Sequence, residues 1–384
     1  MYDLLIKGGF IIDPYQGIEG IRDVAFKDGK VAKVEGEIDP KDSVEVLDAS
    51  RKIVTPGFID LHTHVYWGVS HFGVEADETC LTKGVTTVID AGSSGALNFP
   101  GFKRFIIEKS MTRIYAFLHI SSMGLTTPLG IGELNDFRYL DFDKAVEVAK
   151  ENRKSILGVK IRLNKDIVGD FGPQALRLAK EAARKIGVPL MVHPGILPEN
   201  LPLSYILSIL EKGDILTHCL PPPYPPLLPH PSILNKKGEV IPEVWSALKK
   251  GVIFDVGHGK GSFSFSTAEK ALGQGLTPTT ISTDLHTYSI NYPVIDLPTT
   301  LSKFMFLGLS LPKVIELSTA APASVLGMNG KIGTLKEGAE GDAVVLTVDK
   351  GEFVFWDVLD EKRIGREKIK VVNVIKGGKI VHKA

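Results

Sequence analysis

The stretch Thr55-Pro56-Gly57-Phe58-Ile59-Asp60-Leu61-His62-Thr63-His64 marks a change of architecture in this chain of 384 residues. Its apolar run, Phe58 to His62, has the length and composition of a buried β-strand, and two histidines close the stretch. Before this point the chain consists of short β segments without helical periodicity. After it, short apolar runs alternate with longer helical segments.

The part of the chain after this border contains eight apolar runs of strand length. Helical periodicity follows several of them, as in Asp143 to Asn152, Pro173 to Ile186 and Pro242 to Lys250. Strands that alternate with helices are typical of parallel βαβ units, and eight such units predict an α/β fold of the (β/α)₈ TIM-barrel type. The predicted strands are Phe58 to His62, Val85 to Asp90, Ile114 to Ile120, Leu157 to Leu163, Leu190 to His193, Ile215 to His218, Val252 to Val256 and Thr280 to Asp284.

The two ends of the chain share a different pattern, of short strands separated by glycine-containing turns. Asp28-Gly29 and Gly377-Gly378 are hairpin-turn candidates. We expect both ends to pair in one small β-sandwich domain formed by residues 1–54 and 331–384, with the barrel at 55–330. Its predicted strands are Leu4 to Ile12, Ile21 to Phe26, Lys30 to Val34, Asp342 to Thr347, Lys370 to Ile375 and Lys379 to His382.

The composition restricts the partners and the compartment. The 45 Lys and Arg residues balance the 45 Asp and Glu residues, so the net charge gives no support for nucleic acid binding. The two cysteines, Cys80 and Cys219, are too few for a disulfide framework and favour a reducing, cytoplasmic location. No signal sequence or membrane-spanning run is visible. We therefore expect a small-molecule substrate and no membrane partner, and a homo-oligomer is left open.

Metal-binding residue types collect at the predicted strand ends, where the active sites of such barrels lie. His62 and His64 are two residues apart on one strand, so both can face the same cation. Imidazole and carboxylate donors favour Zn²⁺ or a similar divalent metal. The His-x-His pair alone is a weak motif, and the arrangement over five strands is much stronger. The candidate ligands are His62, His64, Lys160, His193, His218 and Asp284.

Lys160 stands out because a barrel interior normally takes Val, Ile or Leu. It shares one strand face with Arg162 in Gly158-Val159-Lys160-Ile161-Arg162-Leu163. A lysine of this kind usually reaches the surface. Beside two cations, however, a desolvated amine favours its neutral form, which can capture CO₂ as a carbamate, N6-carboxylysine, able to bridge both metals.

These residues together resemble the amidohydrolase superfamily. The resemblance runs from the Thr55–His64 stretch through the strand-four lysine, two single histidines and a final aspartate to Gly333-Thr334-Leu335-Lys336-Glu337-Gly338, and so covers essentially the whole chain. It implies a binuclear site in which His62, His64 and Asp284 hold one metal, His193 and His218 the other, and carboxylated Lys160 bridges them. Motifs such as Leu216-Thr217-His218-Cys219 are similar to a subgroup of predicted deacetylases, often labelled dihydroorotase-like.

The implied reaction is attack of a metal-bridging hydroxide on an amide or ester carbonyl. Asp284, on strand eight, is expected to accept the proton from the attacking water and to pass it to the leaving group. The candidate substrates are an N-acyl amino acid or an O-acyl hydroxy acid.

Four further residues are candidates for substrate contacts. Arg162 can hold a substrate carboxylate, and a structural ion pair is an equally good interpretation. Tyr66 can form a pocket wall or simply pack. His258 opens the Gly-rich loop to Ser262, which can place donors on an oxyanion or serve as an ordinary connection. His286, just beyond Asp284, can act behind the ligands or on the substrate.

The proline-rich stretch Pro221 to Pro231 predicts a stiffened loop after His218, and a lid over the site is its functional interpretation.

Three other functions compete with a deacetylase. A cyclic amidohydrolase such as dihydroorotase has suitable fold and metals, but its relatives tend to carry an arginine where this chain has Tyr66. Mononuclear deaminase relatives place a glutamate soon after the strand-five histidine, whereas His193 is followed by Pro194-Gly195-Ile196. A non-catalytic scaffold that inherited the barrel would be expected to have lost ligands, and none is missing.

Overall fold

The computed structural model describes residues 1–222 and 232–383. Its centre is a curled parallel sheet whose strands lie side by side in the order in which they occur along the chain. The α/β class predicted from the alternating pattern is confirmed. The strands are β6 Phe58–Thr63, β7 Val85–Asp90, β8 Arg113–His119, β9 Ile156–Arg162, β10 Leu190–His193, β11 Ile215–Leu216 and β12 Ile253–Phe254.

Helices and short turns follow these strands. Three helices lie within one residue of the predicted bounds: Phe142–Glu151, Gly172–Ile186 and Pro242–Lys250. The α-helices are α1 Ala76–Thr79, α2 Phe99–Phe102, α3 Phe142–Glu151, α4 Lys165–Val168, α5 Gly172–Ile186, α6 Leu203–Ile209, α7 Pro242–Lys250, α8 Phe265–Gly273, α9 Leu297–Phe306, α10 Leu311–Glu316 and α11 Ala320–Val325. Among the described residues, no helix is long and apolar enough to cross a membrane.

The predicted eighth strand, Thr280 to Asp284, is not a regular strand. It contacts both ends of the curled sheet through isolated parallel bridges, Asp255 with Thr280 and Thr63 with Leu285. The amide of Asp284 donates to the carbonyl of His62 at 2.7 Å, and the amide of Val256 donates to that of Thr280 at 3.1 Å. Side-chain hydrogen bonds from Thr280, Ser282 and Thr283 to two buried aspartates take the place of a regular ladder here.

A second sheet combines both ends of the chain. Its path is β15-β14-β13-β5-β1-β2-β3, with β4 paired to β1. Asp28 and Gly29, both at positive φ, form the turn between β2 and β3, as a two-residue hairpin requires. Its strands are β1 Tyr2–Asp13, β2 Ile18–Lys27, β3 Lys30–Glu35, β4 Ser43–Asp48, β5 Ile53–Pro56, β13 Ala343–Trp356, β14 Lys362–Lys376 and β15 Lys379–Lys383.

The apolar core is divided between the two faces of the curled sheet. The large cluster joins the sheet to its helices and includes Leu176 of α5 and Val244 of α7. A smaller cluster contains Leu61, Phe117 and Met191 but no buried residue of α5 or α7, so it lies on the inner, concave face. The strand ends above this inner core carry the polar residues described next.

Candidate metal centre

Asp284 brings the two histidines of the His-x-His pair together. Its Oδ1 atom lies 3.3 Å from Nε2 of His62 and 3.1 Å from Nε2 of His64. One donor atom each from His62, His218 and Asp284 lie within 4.8 Å of one another, a group that can hold a metal ion. This group combines residues from both predicted metal sites.

His193 and His218 form the neighbouring half of the cluster. Nδ1 of His193 lies 2.7 Å from Nε2 of His218. The other ring nitrogen of His218, Nδ1, lies 2.6 Å from the carbonyl of Gly257, to which it can only donate. His218 therefore carries a proton on Nδ1, and its Nε2 atom faces His193.

Lys160 lies beside these imidazoles, fully buried near the end of β9. Its Nζ atom is 3.3 Å from Nε2 of His62 and 3.4 Å from the sulfur of Met191. Burial lowers the pKa of Lys160 to about 7. The backbone of Gly92 passes so closely that a Cβ there would lie 3.0 Å from Cβ of Lys160. The amine is thus desolvated and lies among ligand-type side chains.

The donors present fit a divalent cation of the zinc type. Burial lowers the pKa of His64 to about 3 and that of His62 well below its ordinary value, so both rings are neutral near pH 7. Neutral imidazole nitrogens and a carboxylate are the donor set that Zn²⁺ prefers. The ring nitrogens face one another or a carboxylate oxygen, as for His193 with His218 and for His64 with Asp284.

A layer of hydroxyl and carboxylate groups behind the imidazoles was not predicted from the sequence. Nδ1 of His62 contacts the Thr217 hydroxyl at 2.8 Å, and Thr217 donates to Asp255 at 2.8 Å. Nδ1 of His64 contacts the Ser93 hydroxyl at 3.0 Å. The signal for Asp255 was available, because it is a carboxylate at the end of the seventh apolar run.

The first residues of the loop after β12, 257–259, donate their backbone amides to the segment 280–284, so these amides are not available to a substrate oxyanion. The amides of His258 and Gly259 donate to the carbonyls of Ser282 and Thr283, at 3.2 and 2.8 Å. The amide of Gly257 donates to the Ser282 hydroxyl at 2.9 Å. A Cβ at Gly259 would clash with the carboxylate of Asp284. These amides are therefore engaged, and the loop backbone packs directly on the candidate base.

Arg162 forms an ion pair with the buried carboxylate of Glu133, which is one of the two interpretations that the sequence left open. Its Nε and Nη2 atoms donate to the two carboxylate oxygens of Glu133, at 2.8 and 2.9 Å. Nε2 of His119 lies 3.2 Å from the same carboxylate. Burial raises the pKa of Glu133, but Arg162 and His119 outweigh it and hold the net value below its usual range. Glu133 comes from an irregular stretch without a motif, so no sequence signal announced it.

The other three predicted substrate contacts lie at different distances from the ligands. His286 is nearest, with Nε2 4.0 Å from Oδ2 of Asp284. Tyr66 packs on Phe102, with ring centroids 4.6 Å apart, and its hydroxyl donates to the carbonyl of Asn98 at 3.2 Å.

His258 turns to a different set of partners. Its Nε2 atom lies 2.8 Å from Nζ of Lys303, and its ring stacks on Phe263. The proposed lid, Pro221 to Pro231, lies outside the described residues except for its first two positions.

Histidines and an aspartate that converge at the carboxyl ends of a curled parallel sheet define an α/β protein with a candidate metal centre. The model of the Amidohydrolase family matches residues 53–201 and 260–381. A deacetylase of Agrobacterium fabrum is 37% identical over 309 residues, which cover 79% of this chain and 72% of the relative. A deacetylase of Enterococcus faecalis is 34% identical over 383 residues, 99% of each chain.

Two solved structures are similar over the full length. A crystal structure titled as an adenine deaminase has a TM-score of 0.89 and 33% identity, and covers 99% of each chain. One titled as a dihydroorotase has a TM-score of 0.89 and 32% identity, and covers 100% of each chain. The chain belongs to the amidohydrolase family, which confirms the resemblance found in its sequence.

Proposed function

We propose that this chain is a metal-dependent hydrolase of the deacetylase type, which cleaves an acyl amide or ester. The observation that carries the proposal is the convergence of His62, His64, His218 and Asp284 beside the buried amine of Lys160. Curated relatives named deacetylases support the choice within the family.

The proposed centre would hold two divalent cations, Zn²⁺ by its donor set, and Lys160 would serve as a ligand in its carboxylated form. His62, His64 and Asp284 would hold one cation, and His193 and His218 the other. The pKa of about 7 supports carboxylation, because a substantial fraction of the amine is then neutral and nucleophilic near pH 7. When bound, such cations lower the pKa of a water molecule and polarise the carbonyl under attack.

Asp284 is the proposed general base and then general acid. Its Oδ1 atom faces the histidine pair, while Oδ2 faces His286 and the backbone of Gly259. We propose that the carboxylate takes a proton from the attacking water and delivers it to the leaving nitrogen or oxygen. The close packing of Gly259 restricts the carboxylate to one orientation, which such a transfer needs.

Arg162 and His286 are the substrate contacts that the geometry supports best. Glu133 accepts from Nε and Nη2, which form one edge of the Arg162 guanidinium, and fixes its position at the end of β9, two residues beyond Lys160. Its charge is suited to the carboxylate of an acylated amino or hydroxy acid. Tyr66 and His258 make packing and hydrogen-bond contacts elsewhere, and their predicted substrate roles have no support from those contacts.

A cyclic amidohydrolase is the second candidate, because a structure titled as a dihydroorotase matches the whole chain. The deacetylase is favoured over it by the residue at position 66. Relatives of the dihydroorotase type tend to carry an arginine there, whereas the hydroxyl of Tyr66 is engaged by the carbonyl of Asn98.

The test is a substrate panel with zinc-loaded protein. The panel contains N-acetyl-amino acids of both hands, acetylated hydroxy acids, dihydroorotate, hydantoins and adenine, with Asp284→Asn as control. We expect acyl substrates to turn over and the variant to lose turnover to a greater extent than it loses metal. Turnover of ring substrates alone would overturn the deacetylase proposal, and a protein that binds no metal when supplied with Zn²⁺ and bicarbonate would overturn the enzyme proposal.

We also propose that residues 55–330, including the 280–285 segment, make the (β/α)₈ hydrolase barrel. Residues 1–54 and 331–384 would then be a composite β-sandwich domain, an arrangement that the strand order of the second sheet supports. The cytoplasmic location stays a prediction.

A further inference from the structure

Asp255, buried just beyond β12, accepts hydrogen bonds from three hydroxyl groups around the candidate centre. Its Oδ2 atom accepts from Thr217 and from Ser282, both at 2.8 Å, and Oδ1 accepts from Thr280 at 2.6 Å. Thr217 precedes His218, while Thr280 and Ser282 lie four and two residues before Asp284. The carboxylate of Asp255 therefore connects the ends of β11 and β12 with the segment 280–284.

The hydroxyl of Thr217 determines which nitrogen of His62 carries the proton. A hydroxyl has one hydrogen, and that of Thr217 is donated to Asp255. In its 2.8 Å contact with Nδ1 of His62 it must therefore accept. The imidazole proton then lies on Nδ1, which leaves a lone pair on Nε2, the atom that faces Asp284 and Lys160.

The Thr217 hydroxyl is the necessary link between His62 and Asp255. Nδ1 of His62 and Oδ2 of Asp255 are 3.9 Å apart, beyond hydrogen-bond distance. Ser282 supports the same arrangement from the other side, because its hydroxyl accepts from the amide of Gly257 and so has its hydrogen available for Asp255.

We propose that Asp255 is a positioning residue that couples two parts of the metal centre. Through Thr217 it fixes the tautomer and orientation of His62, and through Thr280 and Ser282 it holds the segment that presents Asp284. Partners behind a metal-bound histidine orient the ring and raise its basicity, so their loss weakens metal binding. The inference rests on the proposed function in taking His62 and Asp284 as ligands.

The test measures the affinity of the full chain for Zn²⁺ by competition with a chelator. We expect Thr217→Val to bind Zn²⁺ roughly 10- to 100-fold more weakly than the wild type, the usual effect of losing such a partner. Thr217→Ser keeps the hydroxyl and should restore most of the affinity. The matched control is Thr334→Val, which loses a 2.8 Å hydrogen bond to a buried carboxylate, that of Asp13, and should keep the wild-type affinity.

Nitrogen NMR of histidine-labelled, zinc-free protein gives a second readout, which a purely structural role would not change. We expect His62 to carry its proton on Nδ1 in the wild type and to lose this preference in Thr217→Val. A Thr217→Val protein with wild-type zinc affinity, or a wild-type His62 protonated on Nε2, would overturn the coupling alone. A wild-type protein that binds no Zn²⁺ would overturn the proposed function with it.

Discussion

Gly259 shows how a single missing side chain can serve the candidate base. Its φ of +53° is one that residues with a Cβ rarely adopt, and its backbone lies against the carboxylate of Asp284. A side chain at this position would be strained and would also push the carboxylate from its place. Position 259 is therefore restricted to glycine by backbone strain and by the clash with Asp284, and an experiment can separate these two effects.

We expect Gly259→Ala to lower kcat roughly 10- to 100-fold, because a displacement of about 1 Å in a catalytic group has effects of that size. The control is Gly275→Ala, which has a φ of +87° but no neighbour within 4 Å of the added Cβ. Both variants should lose about 1–2 kcal/mol of stability from backbone strain. Kinetics and thermal unfolding of the two proteins check the prediction, and equal kcat values would contradict it.

The segment from Thr280 to Leu285 is the element on which the candidate site depends most. It lacks a regular ladder, and buried carboxylates hold it in place. Asp60 of β6 accepts from both the amide and the hydroxyl of Thr283, while Asp255 accepts from Thr280 and Ser282. The sheet is thus joined at its two ends by side chains rather than by strand pairing alone.

Thr283→Val should destabilise the protein by about 1–3 kcal/mol, since it removes a donor from a buried carboxylate oxygen. Zinc affinity should fall as well, because Asp284 follows directly. Urea unfolding and zinc competition test this pair of effects. Thr347→Val, which loses a 2.8 Å bond to the nearby Asp349 in the second sheet, is the comparison. Lower stability with unchanged zinc affinity would show that the segment holds Asp284 without this anchor.

At the scale of the whole molecule, an ion cluster joins the two sheets. Asp342 accepts from Arg113 of β8 at 2.6 Å, from Lys376 of β14 at 2.8 Å and from the amide of Gly377 at 3.0 Å. Arg113 also pairs with Glu340. Burial raises the pKa of Asp342, but the two cations outweigh it and hold the net pKa below the ordinary 3.8.

This cluster predicts a pH dependence of stability. A carboxyl group with a lowered pKa in the folded state stabilises the fold above its unfolded pKa, and this contribution is lost as the pH falls through the folded pKa. Asp342→Asn should reduce stability by about 3–5 kcal/mol at pH 7, because it leaves buried cations without their partner. The difference from the wild type should shrink below about pH 3.8.

Urea unfolding of both proteins between pH 7 and pH 3 measures this difference. Glu352→Gln, which removes an exposed pair with Arg366, should reproduce the wild-type pH profile. A constant difference between wild type and Asp342→Asn over the whole range would contradict the prediction.

The sequence by itself determined where most of the strands of the curled sheet lie along the chain and which ligand-type residues stand at their ends. Buried parallel strands are short apolar runs, and their carboxyl ends meet at one edge, so residues as distant as His62 and Asp284 were predicted to lie at the same end of the barrel. Their place at one metal was implied by the family resemblance. The family followed from the same residues. The eighth run is the exception, because apolar composition does not distinguish a paired strand from a segment held by buried aspartates.

Only the tertiary structure decided the partners of these residues. Glu133, from an irregular stretch, engages Arg162, and the hydroxyl of Thr217 connects His62 to Asp255. Such contacts depend on the direction of each side chain and on the path of the loops, and neither follows from periodicity. The residue types at the strand ends were therefore set locally by the sequence. Their orientation depends on hydrogen bonds between groups that are brought together only when the chain folds.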